Sequence, residues 1–308
     1  MRSTIYEKQK GVAVDFLPSS VAISIPLPNG GTFPIYWYGI LLVSGALVAA
    51  YISSLDAKRR NINPDHIWNG LLVVLIAGVI GARLYHVISS PTGTNVGLQY
   101  YLNNPMEILN FRAGGLGIYG AVGGGVLGLY LYCRYAKVNF MQFVDMAFLG
   151  LPFGQAIGRW GNFFNQELYG YPTDLPWGIL IDAAHRLPLF SDLTKYPTET
   201  TRFTPTFLYE SLLDLGAGLF LVYASRRWAG RFKTGDMFLL WGMLYGVARF
   251  ITEFQRPDAW LISGIPAAQI IALFLIVLCG VAYLYRHTGP SKAATAQATA
   301  RRRQRRSQ

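Results

Sequence analysis

The chain has 308 residues, of which 52% are hydrophobic and only 14% are charged. Soluble domains carry about 25% charged residues, so this composition excludes an ordinary soluble surface, and its high hydrophobic content excludes a disordered chain. It instead predicts a polytopic membrane protein. The net charge of +11 has to be located along the chain before it is taken as a sign of nucleic-acid binding.

Seven stretches are long and apolar enough to cross a bilayer, because a hydrocarbon core of about 30 Å needs about 20 helical residues. The predicted spans are 35–55, 67–89, 114–132, 140–158, 206–225, 237–254 and 261–285. The sequence therefore predicts an all-α polytopic membrane protein with seven transmembrane helices. It divides into an N-terminal segment 1–34, a membrane domain 35–285 and a basic tail 286–308.

Basic residues are concentrated on one side of these spans. The loops after the first, third and fifth spans, together with the tail, hold 16 of the 27 Lys and Arg residues. By the positive-inside rule, the C-terminus is cytoplasmic and the N-terminus is on the outer, periplasmic side. The polar tail is predicted to be disordered, and its charge is explained by topology and weak attraction to anionic lipids. Nucleic acid is not an expected partner.

Cysteine and glycine give no sign of a metal or nucleotide site. Cys133 and Cys279 lie in or beside apolar runs and fit no disulfide or zinc pattern. The glycine-rich stretch 114–125 lacks the lysine of a phosphate-binding loop, and such glycines allow helices to approach closely in a membrane. Close packing or a broken helix is therefore the preferred interpretation.

Several charged side chains fall within or at the ends of the predicted spans, where charge is costly and marks functional candidates. These residues are Arg83, Arg159, Glu210, Asp214, Arg249 and Glu253. Arginine binds phosphate bidentately and stays protonated, so Arg159 and Arg249, at the outer ends of two spans, predict a lipid-phosphate site. Arg249, Glu253 and Arg256 share one helical face, and a buried ion pair that tethers two helices is the alternative.

The string GRWGNFFNQELYG at 158–170 admits two interpretations of equal weight. Its glycines, Asn162, Asn165 and Glu167 suit a turn that approaches a ligand. Trp160 and Phe163 equally suit a junction between helix and loop at the membrane interface, where aromatic residues are enriched.

This string also resembles the signature of the phosphatidylglycerol–prolipoprotein diacylglyceryl transferase family. Further similar stretches follow the family's order over roughly 33–285, namely IYWYGILLVSG (35–45), GARLYHV (81–87), GGLGIYGAVGGG (114–125), FLYE (207–210) and RFITEFQRPD (249–258). The resemblance implies a seven-span enzyme of the bacterial inner membrane. It also implies a small periplasmic head at about 171–205.

The activity implied by the resemblance is transfer of the diacylglyceryl group of phosphatidylglycerol to the thiol of the lipobox cysteine in a prolipoprotein signal peptide. Glycerol 1-phosphate leaves, and the step is the first in bacterial lipoprotein maturation. Sulfur displaces phosphate at carbon, so the resemblance implies no cofactor and no metal. The implied partners are phosphatidylglycerol, the prolipoprotein and the surrounding membrane lipids.

The resemblance also implies roles for individual residues. Arg159 and Arg249 match the family's phosphate-linked arginines. Glu167 and Glu253 match acidic positions that pair with those arginines or take the thiol proton. The residues matched or considered for binding phosphatidylglycerol are Tyr38, Asn162, Gly170 and, from the second span, Arg83.

The chain departs from the family at two histidines. Many members have His-Gly-Gly in the third span, and that histidine has been proposed as a base, whereas this chain has Tyr119. A phenol, with an ordinary pKa of about 10, is a poor base at neutral pH, so Tyr119 is a hydrogen-bond donor or the histidine is not a universal base. Thr204 replaces the second histidine, before Pro205. His86 is a possible substitute, although a structural role suits it better, and no role is predicted for His185.

Two other classes of protein remain open at this point. A transporter could use the intramembrane arginine and glutamate residues as an anion pathway, but transporters usually show internal repeats and none is visible here. A lipid-binding scaffold without catalytic activity is the third hypothesis.

Overall fold

The computed structural model describes residues 17–28, 30–89, 97–110 and 114–288. The helices of this described part are α1 (Trp37–Arg59), α2 (Asp65–Ser89), α3 (Leu98–Asn103), α4 (Ile118–Tyr135), α5 (Phe140–Phe164), α6 (Thr206–Arg227), α7 (Asp236–Glu253) and α8 (Ala267–Thr288). The strands pair as antiparallel β1 (Val21–Pro26) with β2 (Thr32–Tyr36), β3 (Ile179–Leu180) with β4 (Arg202–Phe203), and β5 (Leu261–Ile262) with β6 (Ile265–Pro266). The mainly helical architecture is confirmed, with three small sheets added.

Five of the described helices are long and apolar enough to cross a membrane, namely α1, α2, α5, α6 and α8. The chain is therefore a multi-pass membrane protein. α4 and α7 coincide with two further predicted spans. The glycines and tyrosines of α4 lower its hydropathy, and α7 contains Asp236, Arg249 and Glu253. The count of seven spans stays a prediction.

Several boundaries differ from those predicted. The last helix begins at Ala267, not at residue 261, because residues 261–266 form the β5–β6 hairpin with left-handed backbone at Ser263 and Gly264. α4 begins at Ile118 because Gly114 and Gly115, with φ of +80° and +74°, cannot continue a right-handed helix. α5 ends at Phe164 and not at residue 158. The short helix α3 lies between the second and third predicted spans, where no helix was predicted. Residues 1–16 and 289–308, most of the predicted basic tail among them, lie outside the described part.

Glycines bring two helix pairs, α1 with α5 and α2 with α4, into close contact. A Cβ added to Gly45 would lie 2.7 Å from the carbonyl oxygen of Gly154, and one added to Gly154 would lie 2.8 Å from that of Gly45. On α2 and α4, Cβ atoms at Gly81 and Gly120 would each overlap the other residue's carbonyl oxygen. In the glycine-rich stretch, Gly120 and Gly124 therefore serve helix packing, as predicted.

Two adjacent glycines of α4 provide a matched test of this packing. Gly124→Leu is expected to destabilise the protein by about 1–3 kcal/mol, because its side chain would overlap the Ala77 carbonyl on α2. Gly123→Leu is the control, since a Cβ there meets nothing within 4 Å in the described structure. Thermal unfolding in detergent measures both, and equal melting temperatures for the two variants would contradict the packing.

The segment 171–205 folds around its own apolar cluster. Its buried members are Tyr169, Ile179, Ile181, Phe190, Phe203 and Phe207. Because Tyr169 follows α5 and Phe207 begins α6, the cluster fixes this segment, called the head below, onto the ends of those two helices. The head is therefore a folded unit.

Candidate active site

Two arginines from different helices converge on one buried carboxylate. Nη1 of Arg159, on α5, lies 2.9 Å from Oε2 of Glu210, on α6. Nη1 of Arg249, on α7, lies 2.9 Å from Oε1 of the same residue. Glu210 therefore joins three helices, and its two oxygens set the separation between the two guanidinium groups.

Two further acids complete this ion-pair cluster. Nη2 of Arg249 lies 2.7 Å from Oε2 of Glu253, the contact expected from their spacing on one helix. Nε of Arg159 lies 3.8 Å from Oδ2 of Asp214. The three carboxylates are buried, whereas the arginine side chains are 21% and 18% exposed. The arginines are thus the more accessible members of the cluster, and the carboxylates are the less accessible ones.

The space inside the cluster is small. The void inside it measures about 10 Å³, and its lining residues are Arg159, Glu210, Asp214, Tyr245, Ala248, Arg249 and Thr252. A void of this size holds at most about one water molecule. A phosphate would therefore bind at the partly exposed edges of the arginines or replace part of their contact with Glu210.

A much larger open groove of about 980 Å³ lies beside the start of α1. Tyr38 lines it together with the loop after α5, which contributes Asn165 and Glu167, and with His185 of the head. Oε1 of Glu167 accepts a hydrogen bond from Asn165 Nδ2 at 3.2 Å. In the described part of the chain Glu167 pairs with no arginine, so of the two predicted acidic partners Glu253 alone contacts an arginine.

The string 158–170 forms a helix end followed by a tight turn. α5 ends at Phe164, and Gln166 and Leu168 then adopt left-handed backbone with φ of 51° and 56°. A Cβ on Gly161 would lie 2.6 Å from the Tyr38 ring. One on Gly170 would lie 2.8 Å from the Gln255 carbonyl oxygen, so neither glycine leaves room for a side chain. The string is thus a junction between a helix and a turn, and the turn lines the groove through Asn165 and Glu167. Both interpretations of the string, a ligand turn and an interfacial junction, stay predictions.

Asn162 is buried at the end of α5, and its Nδ2 has no hydrogen-bond partner within the described ranges. A buried amide without a partner costs about 1–3 kcal/mol, and such groups call for an explanation in a native structure. The position is consistent with a donor reserved for a ligand. Its predicted role in binding phosphatidylglycerol stays a prediction.

Arg83 and Tyr119 lie on the α2–α4 pair, away from the helices that bear the ion-pair cluster. Arg83 is buried and donates from Nε to Ile108 O at 2.9 Å and from Nη1 to Gly114 O at 2.8 Å, and Nη2 donates to Glu107 O. Tyr119 is 73% exposed, and its ring lies 5.8 Å from that of Tyr85. Arg83 thus holds the backbone at Glu107, Ile108 and Gly114 in place. The predicted ligand role of Arg83 and the predicted catalytic role of Tyr119 stay predictions.

Arg83→Ala is expected to destabilise the protein by about 1–3 kcal/mol, because it removes the donor that the part-buried carbonyl groups of Glu107, Ile108 and Gly114 share. Limited proteolysis within 98–115 and thermal unfolding in detergent measure the effect. A variant that melts as the wild type but needs much more phosphatidylglycerol for half-maximal rate would instead make Arg83 a lipid ligand.

No role in the site was predicted for Glu210 and Asp214. Their charge within a predicted span was the feature that could have indicated one. His185 gave no such signal, because its place in the groove depends on the fold of the head.

Comparisons with known proteins identify the family. The family model described as "Prolipoprotein diacylglyceryl transferase" matches residues 25–285. A phosphatidylglycerol–prolipoprotein diacylglyceryl transferase of Chloroflexus aggregans is 40% identical over 270 residues, which cover 82% of this chain and 86% of that protein. Proteins of the same name from Clostridioides difficile and Thermotoga petrophila are 35% and 37% identical, covering 82% and 80% of this chain and 90% and 80% of their own lengths. The chain therefore belongs to the prolipoprotein diacylglyceryl transferase family and is a membrane-embedded transferase.

Proposed function

We propose that this enzyme transfers the sn-1,2-diacylglyceryl group of phosphatidylglycerol to the thiol of a prolipoprotein lipobox cysteine and releases glycerol 1-phosphate. This reaction is the first step of bacterial lipoprotein maturation. The relatives' names state both substrates. The observation that carries the proposal is the convergence of Arg159 and Arg249 on one anion from two helices.

The chemistry requires a site that stabilises a leaving phosphate. The cysteine sulfur bonds to the glyceryl carbon while the bond from that carbon to the phosphate oxygen breaks, so negative charge grows on phosphate. Preorganised cationic donors lower the barrier when they face the atoms on which charge develops. Arg159 and Arg249 have partly exposed side chains that are held in place by buried acids, and this arrangement suits that task.

We further propose a seven-span topology in the bacterial inner membrane, with the head and N-terminus periplasmic and the C-terminus cytoplasmic. α4 and α7 have 18 residues each, about 27 Å of helix, which nearly matches the hydrocarbon core. α4 packs along α2, and α7 packs between α6 and α8, so both lie within the bundle of apolar helices. In this topology the basic loops face the cytoplasm.

Purified protein in lipid nanodiscs tests the reaction directly. It is incubated with phosphatidylglycerol labelled in its acyl chains and with a peptide that contains a lipobox cysteine. Mass spectrometry is expected to show a diacylglyceryl thioether on that cysteine, with one glycerol phosphate released for each peptide modified. The same peptide with serine in place of cysteine is the control. Absence of transfer, together with lipid-dependent solute flux, would favour the transporter hypothesis.

A further inference from the structure

The groove of about 980 Å³ brings together three parts of the chain that are distant in sequence. Its walls come from the β1–β2 hairpin and the start of α1, from the loop after α5, and from the head. Tyr38 and Val43 belong to the first wall, Glu167 to the second and His185 to the third. A concave site with apolar walls and a few convergent polar groups is typical of a ligand site.

His185 is held in a defined orientation by Asp182. Its ring Nδ1 lies 2.7 Å from Asp182 Oδ1, and its backbone N–H donates to the same oxygen at 3.0 Å. The other carboxylate oxygen, Oδ2, accepts a hydrogen bond from Gln166 Nε2 at 2.9 Å. Asp182 therefore fixes the imidazole and is itself fixed by the loop after α5.

Gln166 and Tyr169 fasten this unit to the end of α5. Gln166 is buried, and its Oε1 accepts the backbone N–H of Asp182 at 2.8 Å. The hydroxyl of Tyr169 donates to His185 O at 3.1 Å and accepts from Leu187 N at 2.6 Å. Both anchors belong to the 158–170 string, so the loop that directly follows the helix bearing Arg159 positions His185.

This arrangement leaves one ring nitrogen for chemistry. With Nδ1–H donated to Asp182, Nε2 is the acceptor, and it makes no hydrogen bond to the part of the chain that the structure describes. The side chain is 45% exposed and lines the groove. An imidazole oriented by a carboxylate is the arrangement that general bases use to take a proton from a nucleophile.

The charge on Asp182 supports this role. Burial would raise the pKa of its carboxyl group, but the hydrogen bonds from His185 and Gln166 outweigh burial and lower that pKa below its ordinary value. The group is therefore ionised at neutral pH and stabilises an imidazolium that forms beside it. The other titratable groups of the groove are Tyr36, Tyr38 and Glu167, and the neighbouring Arg186 turns its guanidinium onto the Phe203 ring.

The reaction needs such a base because a thiolate, not a thiol, is the nucleophile, and a free cysteine is mostly protonated at neutral pH. Tyr119 lies on α4 and is not among the residues that line this groove. Glu167 is the other candidate in the groove, but an ordinary carboxylate is a weaker base than imidazole towards a thiol.

We propose that His185, positioned by Asp182, accepts the thiol proton of the acceptor cysteine in this groove. The proposal rests on the proposed function. The S–H proton moves to Nε2, sulfur bonds to the glyceryl carbon, and the carbon–oxygen bond to phosphate breaks with its electron pair leaving on glycerol 1-phosphate. The imidazolium then returns its proton to water or to the departing phosphate.

The test compares wild type, His185→Ala and Asp182→Asn in the nanodisc assay with phosphatidylglycerol and a lipobox peptide, from pH 6 to pH 9. His185→Ala is expected to lower the rate at neutral pH by about a hundredfold, with activity recovering as the peptide thiol ionises towards about pH 8.5. Added imidazole is expected to restore part of the activity of His185→Ala. His66→Ala is the control, because His66 instead contacts the Tyr132 hydroxyl, at 2.9 Å.

The outcomes separate this inference from the proposed function. If the wild type does not transfer at all, the proposed function fails. If the wild type transfers and His185→Ala keeps its rate, or loses activity equally at every pH without rescue by imidazole, the inference is overturned. Glu167→Gln tests the competing base. If Glu167→Gln lost activity at neutral pH and regained it at higher pH, while His185→Ala kept the wild-type rate, the proton would be assigned to Glu167.

Discussion

Arg159→Ala is expected to lower diacylglyceryl transfer by at least about a hundredfold, because it removes one of the two cations proposed to stabilise the leaving phosphate. The same change leaves Glu210 with Arg249 as its remaining arginine partner and removes the contact of Asp214 with Arg159. Loss of one partner of a buried pair costs about 3–5 kcal/mol, so a fall in activity has to be separated from unfolding. The double variant Arg159→Ala/Asp214→Asn makes that separation.

The double variant also neutralises Asp214, the acid that loses its arginine contact in Arg159→Ala. It is expected to regain most of the melting temperature lost by Arg159→Ala while transfer stays low. Arg59→Ala is the matched control, because Arg59 pairs with a buried acid, Asp56, at 2.6 Å and lies on the predicted cytoplasmic side. Full transfer activity in Arg159→Ala, whatever its melting temperature, would show that Arg159 is not part of the phosphate site.

The helices were predictable because a bilayer imposes their length. Runs of about 20 apolar residues located α1, α2 and α6 to within a few residues of their observed ends. They also located the start of α5 at Phe140, but α5 continues to Phe164 and does not end at residue 158. The same criterion failed at the start of α8. Leu261 and Ile262 are apolar, yet they form a hairpin with Ile265, and Gly264 was the local signal of a turn.

The site was predictable only where its geometry is local. The contact between Arg249 and Glu253 follows from their spacing of four residues on one helix, and the structure shows it at 2.7 Å. The meeting of Arg159 and Arg249 on Glu210 depends on how three helices pack, which no spacing along the chain reveals. The place of His185 depends on the irregular head, whose sequence has no periodic pattern, so the histidine had no predicted role.

Glu210→Gln is the second change with a large expected effect, because Glu210 contacts both arginines. The carboxylate holds one guanidinium on each oxygen, at 2.9 Å in both cases, whereas a glutamine amide offers one acceptor and one donor. One arginine would therefore face an N–H group. We expect a loss of about 3 kcal/mol in stability, the lower end of the range for a broken buried pair, because both arginines are partly exposed.

The kinetic effect of Glu210→Gln shows whether Glu210 positions the two guanidinium groups or competes with phosphate for them. If Glu210 holds the guanidinium groups in the geometry that the leaving phosphate needs, kcat falls by tenfold or more, since misplacement of about 1 Å can cost about a hundredfold. KM for phosphatidylglycerol does not rise, because the variant also removes a negative charge that competes with phosphate for the arginines. Asp214→Asn is the matched control, and its longer contact of 3.8 Å predicts smaller changes in both stability and kcat. An increase in kcat for Glu210→Gln would mean that the carboxylate mainly blocks the arginines, and its role as the anchor of the site would then be wrong.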